Sequence, residues 1–409
     1  ITGLCFLDAE GQYHDNGLSR VMAFDKLVNP EQSPFFNWSK PFVQLETTRG
    51  CFNTCAFCVS GGEKPVRTLS VEAIRERVRL IHEKGIRNIR VLDRTFNYQS
   101  HRAKALFDLF REFPDMRFHL EIHPALLSEE LKKELASMPK GLLHLEAGIQ
   151  SLHEEVLTVS RRAGKLADAL EGLRYLCALD NMETHADLIA GLPLYHLSQI
   201  FDDVRTLAEY RAGEIQLESL KLLPGTEMRR RAEELGICYS PLPPYEVLQT
   251  REITPDELQT ARQLSRLLDG FYNAPAWQEI TRRLIVEEPG FLTRFLDHLI
   301  QIGIIDQPMG LERRGILLYH FCKEHYPHFL TAMSRAWIEA GMSLKKEPAE
   351  RVRTKHVTPP EAWTVCTGTY RDNLRLCKLP ASEEGRCYWY GFETESQQLR
   401  PVFAAVSQE

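Results

Sequence analysis

Between residues 42 and 221 the chain alternates short apolar runs with helical stripes. Residues 42–47 read as a strand. Ser70 is placed to N-cap a helix with Glu72 in its first turn. Val71, Ile74, Val78 and Ile81 share one face of that helix, and Gly85 ends it. Residues 86–92 form the second strand, and the next helix, 101–113, stops before Pro114. Strand 117–122 follows, then a helix opened by Ser128, strand 142–147, and helices running to about residue 178. Strand 184–190, helix 196–210 and strand 214–221 complete the series.

Six β/α units in succession predict a parallel sheet, because crossover helices join parallel strands. An open doubly wound sheet and a partial (β/α)6 TIM-like barrel both satisfy this, and both gather chemistry at the C-terminal ends of the strands. Both belong to the α/β class, and residues 42–250 carry the pattern. Residues 1–41 read as a linker or N-terminal extension. Pro241, Pro243 and Pro244 form a stiff connector after a charged helix over 227–235. Residues 251–345 read as a helical region with Leu264, Leu267, Leu268, Phe271 and Tyr272 as core candidates, and 346–409 as a small α+β tail with β-type residues at 363–367 and 387–392.

Composition narrows the class. Hydrophobic residues make up 43% and charged residues 26% of 409, ordinary for a globular protein. Fifty Lys+Arg against 56 Asp+Glu leave a net charge of −6, which argues against a general nucleic-acid or anionic-membrane binder. No apolar run approaches the ~20 residues of a membrane span. The segment from Ile1 to Cys5 lacks the features of a signal peptide. A cytoplasmic, reducing location is the expectation.

Ten cysteines are unevenly spread. Three fall in the run Cys51-Phe-Asn-Thr-Cys55-Ala-Phe-Cys58. Three thiolates on so short a loop can converge on one metal centre. A closed structural zinc site wants four protein ligands, and no fourth Cys or His stands at zinc-finger spacing, the next His being His82. Three cysteines without a fourth suit a [4Fe-4S] cluster with one iron open. Cys177, Cys238 and Cys322 read as core residues. Cys366, Cys377 and Cys387 could form a second metal site, but their wide, irregular spacing favours ordinary structural positions.

The Cys-x3-Cys-x-aromatic-Cys run after the first strand resembles the radical S-adenosylmethionine (radical SAM) superfamily, which implies the partial (β/α)6 barrel for residues 42–250. The resemblance implies that Cys51, Cys55 and Cys58 bind the cluster and that Phe57 packs beside the adenine of SAM. It also implies that the open iron chelates SAM and that one electron cleaves it to methionine and a 5′-deoxyadenosyl radical. The 145–151 segment, with Glu146, resembles the fourth-strand motif whose acidic residue faces SAM. Val159-Ser160-Arg161 resembles a segment whose Arg pairs with the SAM carboxylate; Arg162 beside it leaves room for a one-residue slip. The 185–193 segment, with Asp187 and Gly191, resembles the fifth-strand motif that closes the adenine side, and 220–226 resembles the end of the sixth strand.

The second strand departs from the common Gly-Gly-Glu ending: it runs Val91-Leu92-Asp93-Arg94-Thr95. An Asp there resembles the cobalamin-binding branch, and residues 43–250 are similar to a group in that branch with an uncharacterised C-terminal domain. That resemblance implies that residues 1–41, which begin at Ile1 and not Met, link to a corrinoid domain outside this chain. Asp93, Glu121 and Glu146 sit at strand ends, where an unpaired carboxylate is costly, and are assigned to SAM or substrate, with a structural ion pair the alternative for Glu121. His185 reads equally well as core. The expected activity is radical SAM chemistry on an unidentified substrate, with an external flavodoxin- or ferredoxin-type electron donor. The rivals are a cobalamin-assisted methyltransferase and a non-catalytic iron–sulfur or zinc protein. A tRNA-modifying methylthiotransferase fits less well, for want of a second cysteine trio and a basic tail.

Overall fold

The computed structural model describes residues 1–17, 24–350, 352, 374–379, 386–393, 401 and 403–408. It forms two compact units. The first comprises residues 1–187, 192–194 and 220–251, the second residues 188–191, 195–219 and 252–409. Among the described residues no helix is long and apolar enough to cross a membrane.

The central sheet contains β1 (Val43–Leu45), β2 (Asn88–Val91), β3 (Arg117–Ile122), β4 (Leu143–Gln150), β5 (Glu183–Ala190) and β6 (Glu214–Ser219). Its order runs β6-β5-β4-β3-β2-β1, so spatial neighbours are sequence neighbours. The pairs β1–β2, β2–β3 and β3–β4 are parallel. This is the winding order of a barrel wall; a doubly wound sheet would reverse direction at a switch point.

The crossover helices include α1 (Val71–Glu83), α2 (Ser100–Arg111), α3 (Glu129–Ala136), α4 (Glu154–Val159), α5 (Leu166–Cys177) and α6 (Leu197–Glu209). The Ser70 hydroxyl caps α1 by accepting from Ala73 N at 3.1 Å, and Ser128 caps α3 from Leu131 N at 3.3 Å. Each cap is worth about 1 kcal/mol. Ile74, Val78 and Ile81 are fully buried, as the periodicity predicts.

Burial alternates along the strands. In β3, Phe118, Leu120 and Ile122 are buried while His119 and Glu121 are half-buried. In β4, Leu143, Leu145, Ala147 and Ile149 alternate with half-buried His144, Glu146, Gly148 and Gln150. A parallel sheet covered on both faces reads as a continuous apolar run. Here one face is polar, which marks it as the wall of a cavity.

Two expectations change. The helix over 227–235 is only Glu227–Arg230 long. After it, the Arg231 side chain pairs with both Glu227 and Glu234, on a turn that leads to Gly236 at φ +67. Cys238 is exposed, not core, whereas Cys322 is buried.

In the second unit, α7 (Pro255–Leu267), α8 (Gln278–Glu287), α9 (Phe291–Gln301), α10 (Leu311–His325) and α11 (Leu330–Glu339) pack around an aromatic core. The Trp277 and Trp337 rings stack at 6.1 Å. Gly315 is required beside them, because a Cβ there would come within 2.4 Å of Trp277. The tail contains an antiparallel sheet of β7 (Leu374–Leu379), β8 (Arg386–Glu393) and β9 (Phe403–Gln408). Residues 363–367 and Cys366 lie outside the described residues. Cys387 is buried in β8.

Candidate functional site

The three-cysteine loop follows β1 and folds back on itself. Cys51 N donates to Glu63 O at 3.1 Å, Cys58 N to Cys55 O at 3.1 Å, and Gly61 N to Cys58 O at 3.0 Å. The turn needs glycine at two places. A Cβ on Gly61 would lie 2.5 Å from Cys55 O, and one on Gly50, at φ +97, would lie 2.5 Å from Glu63 O. Buried Asn53 pins the loop from inside, its Oδ1 accepting from Thr54 N at 2.8 Å and Ala163 N at 3.0 Å. Outside, Ala56 N donates to Ser160 O and Met228 N to Ala56 O, each at 2.8 Å.

Cys51, Cys55, Phe57 and Cys58 line a cavity of about 170 Å³ together with Arg94, Glu121, His123, Glu146, Arg162 and Asp187. Three thiol donors with no fourth Cys among the lining residues fit a [4Fe-4S] cluster that keeps one iron open. Burial pushes the Cys55 thiol up, opposed by the Arg162 guanidinium, whose Nη1 lies 3.7 Å from Cys55 Sγ. A cluster would reverse that burial penalty, since it binds thiolates.

Opposite the cysteines stand three carboxylates. Glu121 and Glu146 are register partners on β3 and β4. Burial first, and then the Glu146 charge, push the Glu121 carboxyl up to about 7, with Arg94 at 3.8 Å pulling the other way. Glu146 goes down to about 2, chiefly through its 2.7 Å bond from His119 Nε2. Asp187 is raised by burial, despite His185 at 3.0 Å. His123, at the end of β3, is held by Asn97, which accepts from His123 N at 2.8 Å and donates to His123 O at 2.9 Å. Its Nε2 donates to Ala163 O at 2.9 Å, and burial drops the ring to about 4, so it stays neutral. Its buried Nδ1 has no hydrogen-bond partner.

The cavity thus unites Cys51, Cys55, Cys58, Phe57, Glu121, Glu146 and Asp187 of the sequence-derived residues. It does not include Asp93. That carboxylate is buried and accepts from Thr47 N and Thr48 N at 2.8 Å each and from the Thr47 hydroxyl. It ties the end of β2 to the turn after β1, and burial raises its pKa. Arg161 is also turned away. At φ +52 it projects outward, its side chain half exposed, to pair with Glu227 at 2.6 Å. Arg162 faces the cavity instead and donates to Gly148 O, which is the one-residue slip. Gly191, at φ +89 after β5, belongs to the second unit. Asn53, Arg94, His119 and His123 escaped the sequence reading. For the two histidines a signal existed, since His119, Glu121 and His123 alternate on one face of β3.

Residues 45–207 match the family described as the radical SAM superfamily. Residues 233–329 match a protein family of unknown function (DUF4080). A tRNA-2-methylthio-N(6)-dimethylallyladenosine synthase of Herpetosiphon aurantiacus is 27% identical over 213 residues, 47% of each chain. One from Chlorobium limicola is 30% identical over 154 residues, 35% of this chain and 34% of its own. The chain spans about half the length of these curated relatives or less. Among solved structures, the cobalamin-dependent S-adenosylmethionine radical enzyme OxsB is similar with a TM-score of 0.52 at 14% identity, over 81% of this chain and 60% of that one. That is a likeness of fold.

Proposed function

We propose that this chain, whose residues 45–207 match the radical SAM superfamily, binds a [4Fe-4S] cluster through Cys51, Cys55 and Cys58 and cleaves SAM reductively in the cavity beside them. When bound, such a cluster supplies the single electron for SAM cleavage, which yields methionine and a 5′-deoxyadenosyl radical that takes hydrogen from a substrate. The supporting observation is the convergence of three cysteines on one cavity with groups of both charge signs.

The side chains divide the work. The guanidinium of Arg162 suits a ligand carboxylate, which a planar fork binds with two parallel bonds. Glu146, held ionised by His119, and Asp187 suit the ammonium and the ribose hydroxyls of SAM. Phe57 offers an apolar wall for the adenine. Neutral His123 offers an open acceptor at Nδ1. Buried Asn53 and the two loop glycines keep the cysteines in place, so little ordering is left to the moment of binding. An external one-electron donor completes the reaction.

The likeness to proteins named as tRNA-2-methylthio-N(6)-dimethylallyladenosine synthases supports a second reading, in which SAM also serves as methyl donor. Product analysis separates the two. Anaerobic incubation of the cluster-loaded protein with dithionite and SAM should release 5′-deoxyadenosine; S-adenosylhomocysteine beside it would indicate methyl transfer. Neither product, with SAM unbound, would refute the enzyme reading. A corrinoid-dependent form, with cobalamin on a domain outside residues 1–409, would show methyl transfer only when methylcobalamin or that domain is supplied.

A further inference from the structure

Glu121 is the one cavity carboxylate that neither a close cation nor an imidazole holds. Glu146 has His119 at 2.7 Å and Asp187 has His185 at 3.0 Å, while Glu121 has only the half-exposed Arg94 at 3.8 Å. It stands directly across the β3–β4 register from ionised Glu146. The charged groups around it are Glu146 from β4, Asp187 from β5, Arg94 from the loop after β2 and His119 from its own strand. The two carboxyl groups disfavour its ionisation, and of the two groups that favour it, His119 is already hydrogen-bonded to Glu146.

Resting on the SAM reading above, we infer that Glu121 is a charge-selecting residue: it keeps a proton while the cavity lacks a cation and releases it when a sulfonium enters, so the cavity favours S-adenosylmethionine over its uncharged thioether. The like-charge pair cannot easily ionise on both sides in a half-buried wall, so one proton is shared out to the less-supported member. An incoming positive charge supplies the missing counter-ion and makes the second ionisation favourable. The proton goes to solvent; no bond to carbon is made or broken in this step. S-adenosylhomocysteine has the same amine, carboxylate, ribose and adenine but no positive sulfur. It should leave Glu121 protonated, and its product-like binding should be weaker.

The test is calorimetric titration of the cluster-loaded protein with SAM and with S-adenosylhomocysteine, anaerobically, in two buffers of different ionisation enthalpy. The difference gives the protons released. With Glu121 half protonated near pH 7, wild type should release about half a proton more per SAM than E121Q, falling to about a tenth at pH 8. Any proton shed by the ligand amine is common to both proteins and cancels. The excess should be absent with S-adenosylhomocysteine. E146Q gives a second route, since removing the facing charge should also shrink the excess. Equal proton release by wild type and E121Q, with SAM bound by both, would overturn the inference and leave the SAM site standing. Failure of the loaded wild type to bind SAM at all would overturn both.

Discussion

The two compact units bury polar side chains to different extents. The first buries Glu31 with Arg77, Asp93 with Thr47, and Asn53, Asn97, His123 and His185. The second is built around Trp277, Trp337, Phe271, Phe291 and Phe295, and its buried tryptophans satisfy their N–H groups locally, on Leu311 O and Ser343 O. Burying a polar group costs free energy unless it is fully partnered, so a unit that buries many of them does so where position matters more than stability. The first unit holds a cavity ready for charge, and the second holds a core.

The largest effect that could break this contrast is on the cysteines. Cys55→Ala should leave the chain folded and strip the iron, read as loss of visible absorbance and of bound iron after reconstitution. Full iron loading of that variant would place the metal elsewhere. Next, Trp277→Ala should destabilise the second unit by about 3–5 kcal/mol, as for other buried large-to-small changes, while iron content stays near wild type. Denaturant melts beside iron assays check it, and loss of iron at full stability would erase the division of labour.

A smaller effect sharpens the contrast within the first unit, between Asp93 and Glu121. Both are strand-end carboxylates raised by burial. Asp93 is satisfied by Thr47 and Thr48, so Asp93→Asn should cost about 1–3 kcal/mol of stability and shift SAM affinity little. A large affinity loss at unchanged stability would return Asp93 to the binding site.

A further effect is on pH dependence. In the ligand-free protein Glu121 goes from an ordinary value of 4.5 to about 7 on folding. The native state then binds more protons than the unfolded one between those values, and stability falls as pH rises through that window. Glu146 acts the other way: depressed to about 2, it adds stability above pH 4.5 that is lost as pH falls toward 2. E121Q should flatten the decline between pH 4.5 and 7 and leave the acid limb unchanged. An unchanged decline would assign it to another group.

Much of this was legible from sequence because it is local or periodic. The caps at Ser70 and Ser128, the six strands and the cysteine spacing each depend on residues a few positions apart. The alternation in β3 even carried the inward line of His119, Glu121 and His123. What could not be read depends on distant partners. Asp93 meets Thr47, 46 residues away, and so looks free in the sequence. Arg161 and Arg162 are chemically alike, and only the left-handed turn at Arg161, with Glu227 66 residues on, decides which one faces inward. The Cys238 misreading has the same origin, since its two-residue strand gives no periodicity from which to infer a buried face.

The central claim is that the cavity beside Cys51, Cys55 and Cys58 performs reductive SAM cleavage. The most direct measurement is 5′-deoxyadenosine formation by the anaerobically reconstituted, dithionite-reduced protein, quantified by mass spectrometry beside the single Cys51→Ala, Cys55→Ala and Cys58→Ala variants. Cysteine-dependent release in the wild type, lost in all three variants, is the predicted result. A protein that binds iron and SAM yet forms no 5′-deoxyadenosine, or forms it equally without the cysteines, would contradict the account.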